Sequence, residues 1–202
     1  LILLAGFMDI FDGKIARLLG ISSKFGVEFD SLADTVSFCV APSILVYSLY
    51  AKDLQIIQGL VLSFVPLICG SVRLAKYNLE TVVEDNHKSY FIGLSTPIST
   101  VTILAFMYFN HQIGDQDFYG DPNIALGLVL ILGVLMLSPI HFPKVPLITF
   151  KSSSKNSILL IIMIACSLSI LVWKGFALLP VCLGYILTNT FLWFIKLRPS
   201  NI

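Results

Sequence analysis

Apolar residues run in long blocks, broken by short polar stretches, along almost the whole of this chain. Blocks that cross or nearly cross a bilayer run over Leu1–Leu18, Leu32–Tyr50, Leu54–Val72, Phe91–Asn110, Ile124–Ile140, Ile158–Trp173 and Phe176–Leu197, against the roughly 20 residues a spanning helix needs. The pattern predicts an all-α fold: a polytopic transmembrane helix bundle with seven visible spans, residues 1–202 forming one integral membrane domain. No period-two alternation of useful length occurs, which speaks against a β-barrel. The last two blocks are separated only by Lys174 and Gly175, a connection tight enough to force an antiparallel hairpin. Pro42, Pro66, Pro97 and Pro180 fall inside blocks, where they are tolerated if neighbouring helices satisfy the carbonyls they free. The first block opens at Leu1 without an initiator Met, so a further helix upstream is expected, making eight spans.

Composition strengthens the membrane reading. The chain is 56% hydrophobic and 12% charged, with a mean hydropathy of +0.89, whereas soluble domains carry about 25% charged residues. The net charge of +1 is uninformative, but the placement of the cations is not. Lys14, Arg17, Lys24, Arg73, Lys76, Lys88, Lys144, Lys151, Lys155, Lys196 and Arg198 fall in connections of one set, and only Lys52 and Lys174 in the other. Eleven against two places the first set in the cytoplasm by the positive-inside bias. Cys39, Cys69, Cys166 and Cys182 all lie in apolar runs without metal-ligand spacing, and read as small buried hydrophobes.

The polar residues that interrupt the first blocks carry the chemistry. Asp9 and Asp12 are three apart, and Asp30 and Asp34 four apart; on helices each spacing puts both carboxylates on one face. An Asp at the centre of a membrane helix costs roughly 2.5–3.5 kcal/mol, so acids beside apolar runs are functional-site candidates. Four acids that converge would repel one another unless cations lie between them. Hard oxygen donors suit Mg²⁺ or Mn²⁺, bound through carboxylates together with substrate phosphates. Two such ions, the number expected here, would stabilise the attacking and leaving oxygens of a phosphoryl displacement. Gly13, Ala16 and Gly26 carry almost no side chain, so a ligand can approach the backbone, and Arg17 can grip a phosphate bidentately. Residues Leu18–Glu28, with Gly20, Ser22, Ser23, Lys24 and Gly26, read as a cytoplasmic turn joining the two acidic helices.

A second polar cluster, Arg73, Lys76 and Asn78, closes the third block on the same side. Arg73 and Lys76 share a helix face, where they either anchor the helix by the positive-inside bias or engage an anionic ligand, while Asn78 reads as a helix C-terminal residue. His87, His111 and His141 stand isolated and are assigned no role.

The register Asp9-x2-Asp12-Gly13-x2-Ala16-Arg17-x8-Gly26-x3-Asp30-x3-Asp34 resembles the full signature of the CDP-alcohol phosphotransferases, membrane enzymes that move a phosphatidyl-type group from a CDP-activated lipid onto an alcohol. The runs Ser23–Asp34, Cys69–Asn78 and Tyr90–Pro97 are similar to the phosphatidylserine synthase branch of that family. The branch usually has Arg where this chain has Lys76, and Pro where it has Ser95. Residues 1–100 carry the resemblance as a catalytic core; residues 101–202 resemble the family mainly in hydropathy and read as additional helices. The resemblance implies Asp9, Asp12, Asp30 and Asp34 as metal ligands, with Asp34 also the general base. It further implies Gly13, Ala16, Arg17 and Gly26 as holders of the CDP moiety, and Arg73 and Lys76 as lipid-phosphate or serine ligands. The implied partners are CDP-diacylglycerol, L-serine, membrane lipids and a second copy of the chain in a homodimer, with no nucleic acid.

Two alternatives are weighed against this. The same chemistry with glycerol 3-phosphate or inositol phosphate should require more cationic side chains near the acids. A divalent-metal transporter should carry internal repeats with matching interrupted helices, yet residues 100–202 hold no second copy of the acidic motif.

Overall fold

The computed structural model describes residues 24–83, 90–114, 119–143, 169 and 175–197. The block Leu1–Leu18 lies outside the described residues, as does Ile158–Trp173 apart from residue 169, and as do Asp9, Asp12, Gly13, Ala16 and Arg17. The elements are α1 (Lys24–Thr35), a π-helical turn (Val36–Val40), α2 (Ala41–Val46), a second π-helical turn (Tyr47–Ala51), α3 (Ile56–Ser63) and α4 (Val65–Val83). There follow β1 (Tyr90–Ile92), α5 (Thr96–Ile113), α6 (Pro122–Leu137), β2 (His141–Pro143) and α7 (Leu178–Leu197).

Among the described residues, three continuous helical runs are long and apolar enough to cross a membrane: Glu28–Ala51, Ile56–Leu79 and Leu178–Ile195. Only 28%, 28% and 17% of their apolar windows are buried. Ile44, Ile57, Ile68, Val72, Leu187 and Phe194 all point outward, the arrangement expected where hydrocarbon, not water, is the solvent. The core is formed where α2, α5, α6 and the second π-helical turn meet, around Val46, Ile103, Val129 and Leu132.

Prolines shape this bundle, and neighbouring hydroxyls compensate for them. Pro42 has no N–H, so the Phe38 carbonyl four residues earlier loses its regular helical donor. The buried Thr100 hydroxyl of α5 donates to that carbonyl at 2.6 Å. Pro66 follows the break between α3 and α4, and there the Leu67 N–H donates to the Ser43 hydroxyl at 3.2 Å. Each bond ties two helices at a point where one of them is irregular. Thr100→Val keeps the shape and removes the donor. It is expected to lower stability by about 0.5–1.5 kcal/mol, read as a lower unfolding temperature in detergent; an unchanged midpoint would mean that another donor reaches Phe38.

Two boundaries differ from the hydropathic reading. The Phe91–Asn110 block is not one helix. Tyr90–Ile92 forms a strand paired antiparallel with His141–Pro143, Phe91 opposite Phe142, and α5 starts only at Thr96 with Pro97 in its first turn. Proline at that place begins a helix instead of kinking one, because its missing N–H is among those with no intrahelical partner. The third block continues as helix past Val72 to Val83, so Arg73, Lys76 and Asn78 stand on a helix face and not at its end.

Candidate functional site

Asp30 and Asp34 lie one turn apart on α1, Asp30 exposed and Asp34 half-buried. The helix is described from Lys24 onward, so Gly26 stands on a helix and not in a connecting turn. The opposite edge, Phe29, Leu32 and Val36, is exposed and apolar, which turns the acids away from the lipid-facing side. A π-helical turn, Val36–Val40, follows directly after Thr35. Such single-turn widenings recur at functional sites.

Helix α4 packs against α1 and against this turn. Gly70 makes the approach possible: a Cβ there would collide with the Cys39 sulfur and press on Thr96. Farther along α4, the Asn78 amide donates to the Ser31 hydroxyl at 2.9 Å, fixing the rotation of the two helices. Between these two ties lies Arg73, 8% exposed. Asp34 is partly withdrawn from solvent, and the like charge of Asp30 and the opposite charge of Arg73 both act on it. The structure thus brings Asp30, Asp34 and Arg73 into one electrostatic neighbourhood, with Lys76 a turn further along α4.

Arg73 is held by two rings. Its guanidinium carbon lies 5.4 Å from the Tyr77 ring centre and 5.8 Å from that of Phe91, both inside the range of cation–π attraction. Arg73, Lys76 and Tyr77 also form one side of a small cavity whose other side is Ile92 with Met136, Leu137 and Ser138. The cavity holds about 30 Å³, room for roughly two water-sized groups at about 10–15 Å³ each.

That second wall depends on Gly93. Its φ of 77° suits glycine, and a Cβ would strike the Met136 carbonyl. The Gly93 N–H donates to the Ile140 carbonyl at 2.8 Å, and the Leu94 N–H to the Leu135 carbonyl at 3.0 Å. These bonds dock the strand and the C-terminal end of α6 onto each other, opposite Arg73.

Sequence reasoning did not find Tyr77, Phe91 and Ser138. The aromatic pair had a signal in the Cys69–Asn78 and Tyr90–Pro97 runs, but no local spacing joins them. Nor did it find the role of Asn78 in docking α4 on α1. As donors for a divalent cation, Asp30 and Asp34 are all-oxygen, like-charged and one turn apart, which fits a hard ion; no group of three or more candidate ligands forms among the described residues.

A model of the family described as CDP-alcohol phosphatidyltransferase matches residues 1–193, well beyond the first hundred residues. A CDP-diacylglycerol–serine O-phosphatidyltransferase of Helicobacter pylori is 33% identical over 187 residues, covering 92% of this chain and 75% of that protein. One of the same name from Bacillus subtilis is 37% identical over 139 residues, 68% of this chain and 69% of that protein. An archaetidylserine synthase of Methanothermobacter thermautotrophicus is 37% identical over 147 residues, 72% of this chain and 57% of that protein.

Proposed function

This chain belongs to the CDP-alcohol phosphatidyltransferase family, and from that premise we propose that it transfers a phosphatidyl group from CDP-diacylglycerol to the hydroxyl of L-serine, giving phosphatidylserine and CMP. The relatives named above differ in the lipid of their names but share serine. It is an integral membrane enzyme with apolar crossing helices. In this reading it has seven spans, its catalytic core lies in residues 1–100, and it works as a homodimer. The Asp34–Arg73 end faces the cytoplasm, in keeping with the eleven-to-two distribution of Lys and Arg.

The observation that favours serine among the alcohols is the position of Arg73, in the field of Asp34 and beside a cavity of about 30 Å³. A carboxylate brings two oxygens into such a space. The phosphate of glycerol 3-phosphate or inositol phosphate brings more oxygens and a second negative charge. Arg73 and Lys76 receive the serine carboxylate, the guanidinium as a planar fork and the ammonium as a point charge. That grip turns the hydroxyl toward Asp34. As the hydroxyl oxygen bonds to the β-phosphorus, its proton passes to the Asp34 carboxylate and the bond from phosphorus to the CMP oxygen breaks. Gly13, Ala16, Arg17 and Gly26 hold the CDP moiety, Arg17 meeting the charge that develops on the leaving CMP. Mg²⁺ or Mn²⁺, held by Asp30 and Asp34 with Asp9 and Asp12, would supply positive charge against the diphosphate.

Purified protein given CDP-diacylglycerol in mixed micelles should release CMP when L-serine is added, and far less with glycerol 3-phosphate or inositol phosphate. Release that ignores serine and follows another alcohol would overturn the choice of acceptor. Metal flux into liposomes without CDP-lipid would point to transport instead.

A further inference from the structure

The run Tyr90–Pro97 supplies none of the groups that meet substrate in this reading, yet its strand is braced from several sides. Two-stranded ribbons are marginal by themselves, and this one spans only Tyr90–Ile92 and His141–Pro143. Its support comes from outside. Phe142 is 2% exposed and packs against Tyr185 of α7, ring centres 6.0 Å apart. The Trp193 indole N–H donates to His141 Nδ1 at 3.1 Å, and Gly93 and Leu94 are bonded to the end of α6. All this fixes the place of Phe91, whose ring meets Tyr77 edge-on with centres 5.7 Å apart.

We propose that Phe91, with Tyr77, is a positioning residue for Arg73: the two rings hold the guanidinium at the wall of the Lys76–Ser138 cavity, so that the strand pair sets the affinity for the acceptor's carboxylate. A ring engages the flat face of a guanidinium, whereas a carboxylate is recognised along its N–H edge, so both can be engaged together. An arginine side chain loses much rotamer freedom when fixed in one pose, and rings that fix it beforehand spare the acceptor that loss. This inference rests on the reading of Arg73 as a serine ligand.

The test replaces Phe91 in the protein by phenylalanines carrying one, two and three ring fluorines, introduced by nonsense suppression. Fluorination drains the negative face of the ring while nearly preserving its shape, so a purely structural role is left unmoved. The KM for serine should rise stepwise, by about three- to tenfold across the series, with kcat and the unfolding temperature near those of the unmodified protein. Phe91→Leu should match or exceed the last member of the series in KM, and Phe91→Tyr should stay close to the parent. A KM that is flat along the series, or a fall in kcat at constant KM, overturns the proposal. If the unmodified protein shows no serine-dependent CMP release, the acceptor assignment fails and this inference with it; normal serine dependence with a flat series removes this inference alone.

Discussion

Asp34→Asn is expected to lower serine-dependent CMP release by at least about a hundredfold, the lower end of what a positioned general base contributes. The amide is nearly the same size as the carboxylate, so packing under the first π-helical turn should survive. What disappears is the group that can take the serine proton, half-buried and within the fields of Asp30 and Arg73. Binding of CDP-diacylglycerol should stay near the parent value, because Gly13, Ala16, Arg17 and Gly26 are untouched. The measurement is paired: single-turnover CMP release, and equilibrium binding of a CDP-lipid. Near-normal turnover in Asp34→Asn would remove its role as base. Loss of lipid binding together with turnover would instead make it chiefly part of the lipid site.

The second large effect is expected at Arg73. Arg73→Ala removes the opposite charge that acts on Asp34 and part of one wall of the cavity. A charge-assisted hydrogen bond contributes about 1.5–3 kcal/mol, so the KM for serine should rise by roughly ten- to a hundredfold. Arg73→Lys should recover part of this, since it restores the charge but not the planar fork. The informative comparison is between the two substrates. A raised KM for serine with unchanged affinity for CDP-diacylglycerol supports a carboxylate ligand. Weakened CDP-lipid binding with an unchanged serine KM would assign Arg73 to the lipid diphosphate.

A transporter reading loses ground on two counts. The family match extends over residues 1–193, and the acids Asp30 and Asp34 stand beside a buried arginine. A cation path would have to pass that positive charge.

Local spacing was enough to identify the membrane class, the shared face of Asp30 and Asp34 and the signature of the family, because each is written in neighbouring residues. Hydropathic blocks report the solvent, and a four-residue interval reports one helix face. The meeting of Arg73 with Asp34 is different in kind. It depends on the rotation of α4 against α1, which Gly70 permits by close approach and the Asn78–Ser31 bond fixes. The strand pair was beyond reach for another reason: three residues a side are too few to display alternation, and Tyr90–Ile92 sits against an apolar block that reads as helix. Only tertiary structure could bring Phe91 to Tyr77 and Arg73. Ring-to-cation contact is decided by distances between elements, and no period along a single chain encodes those.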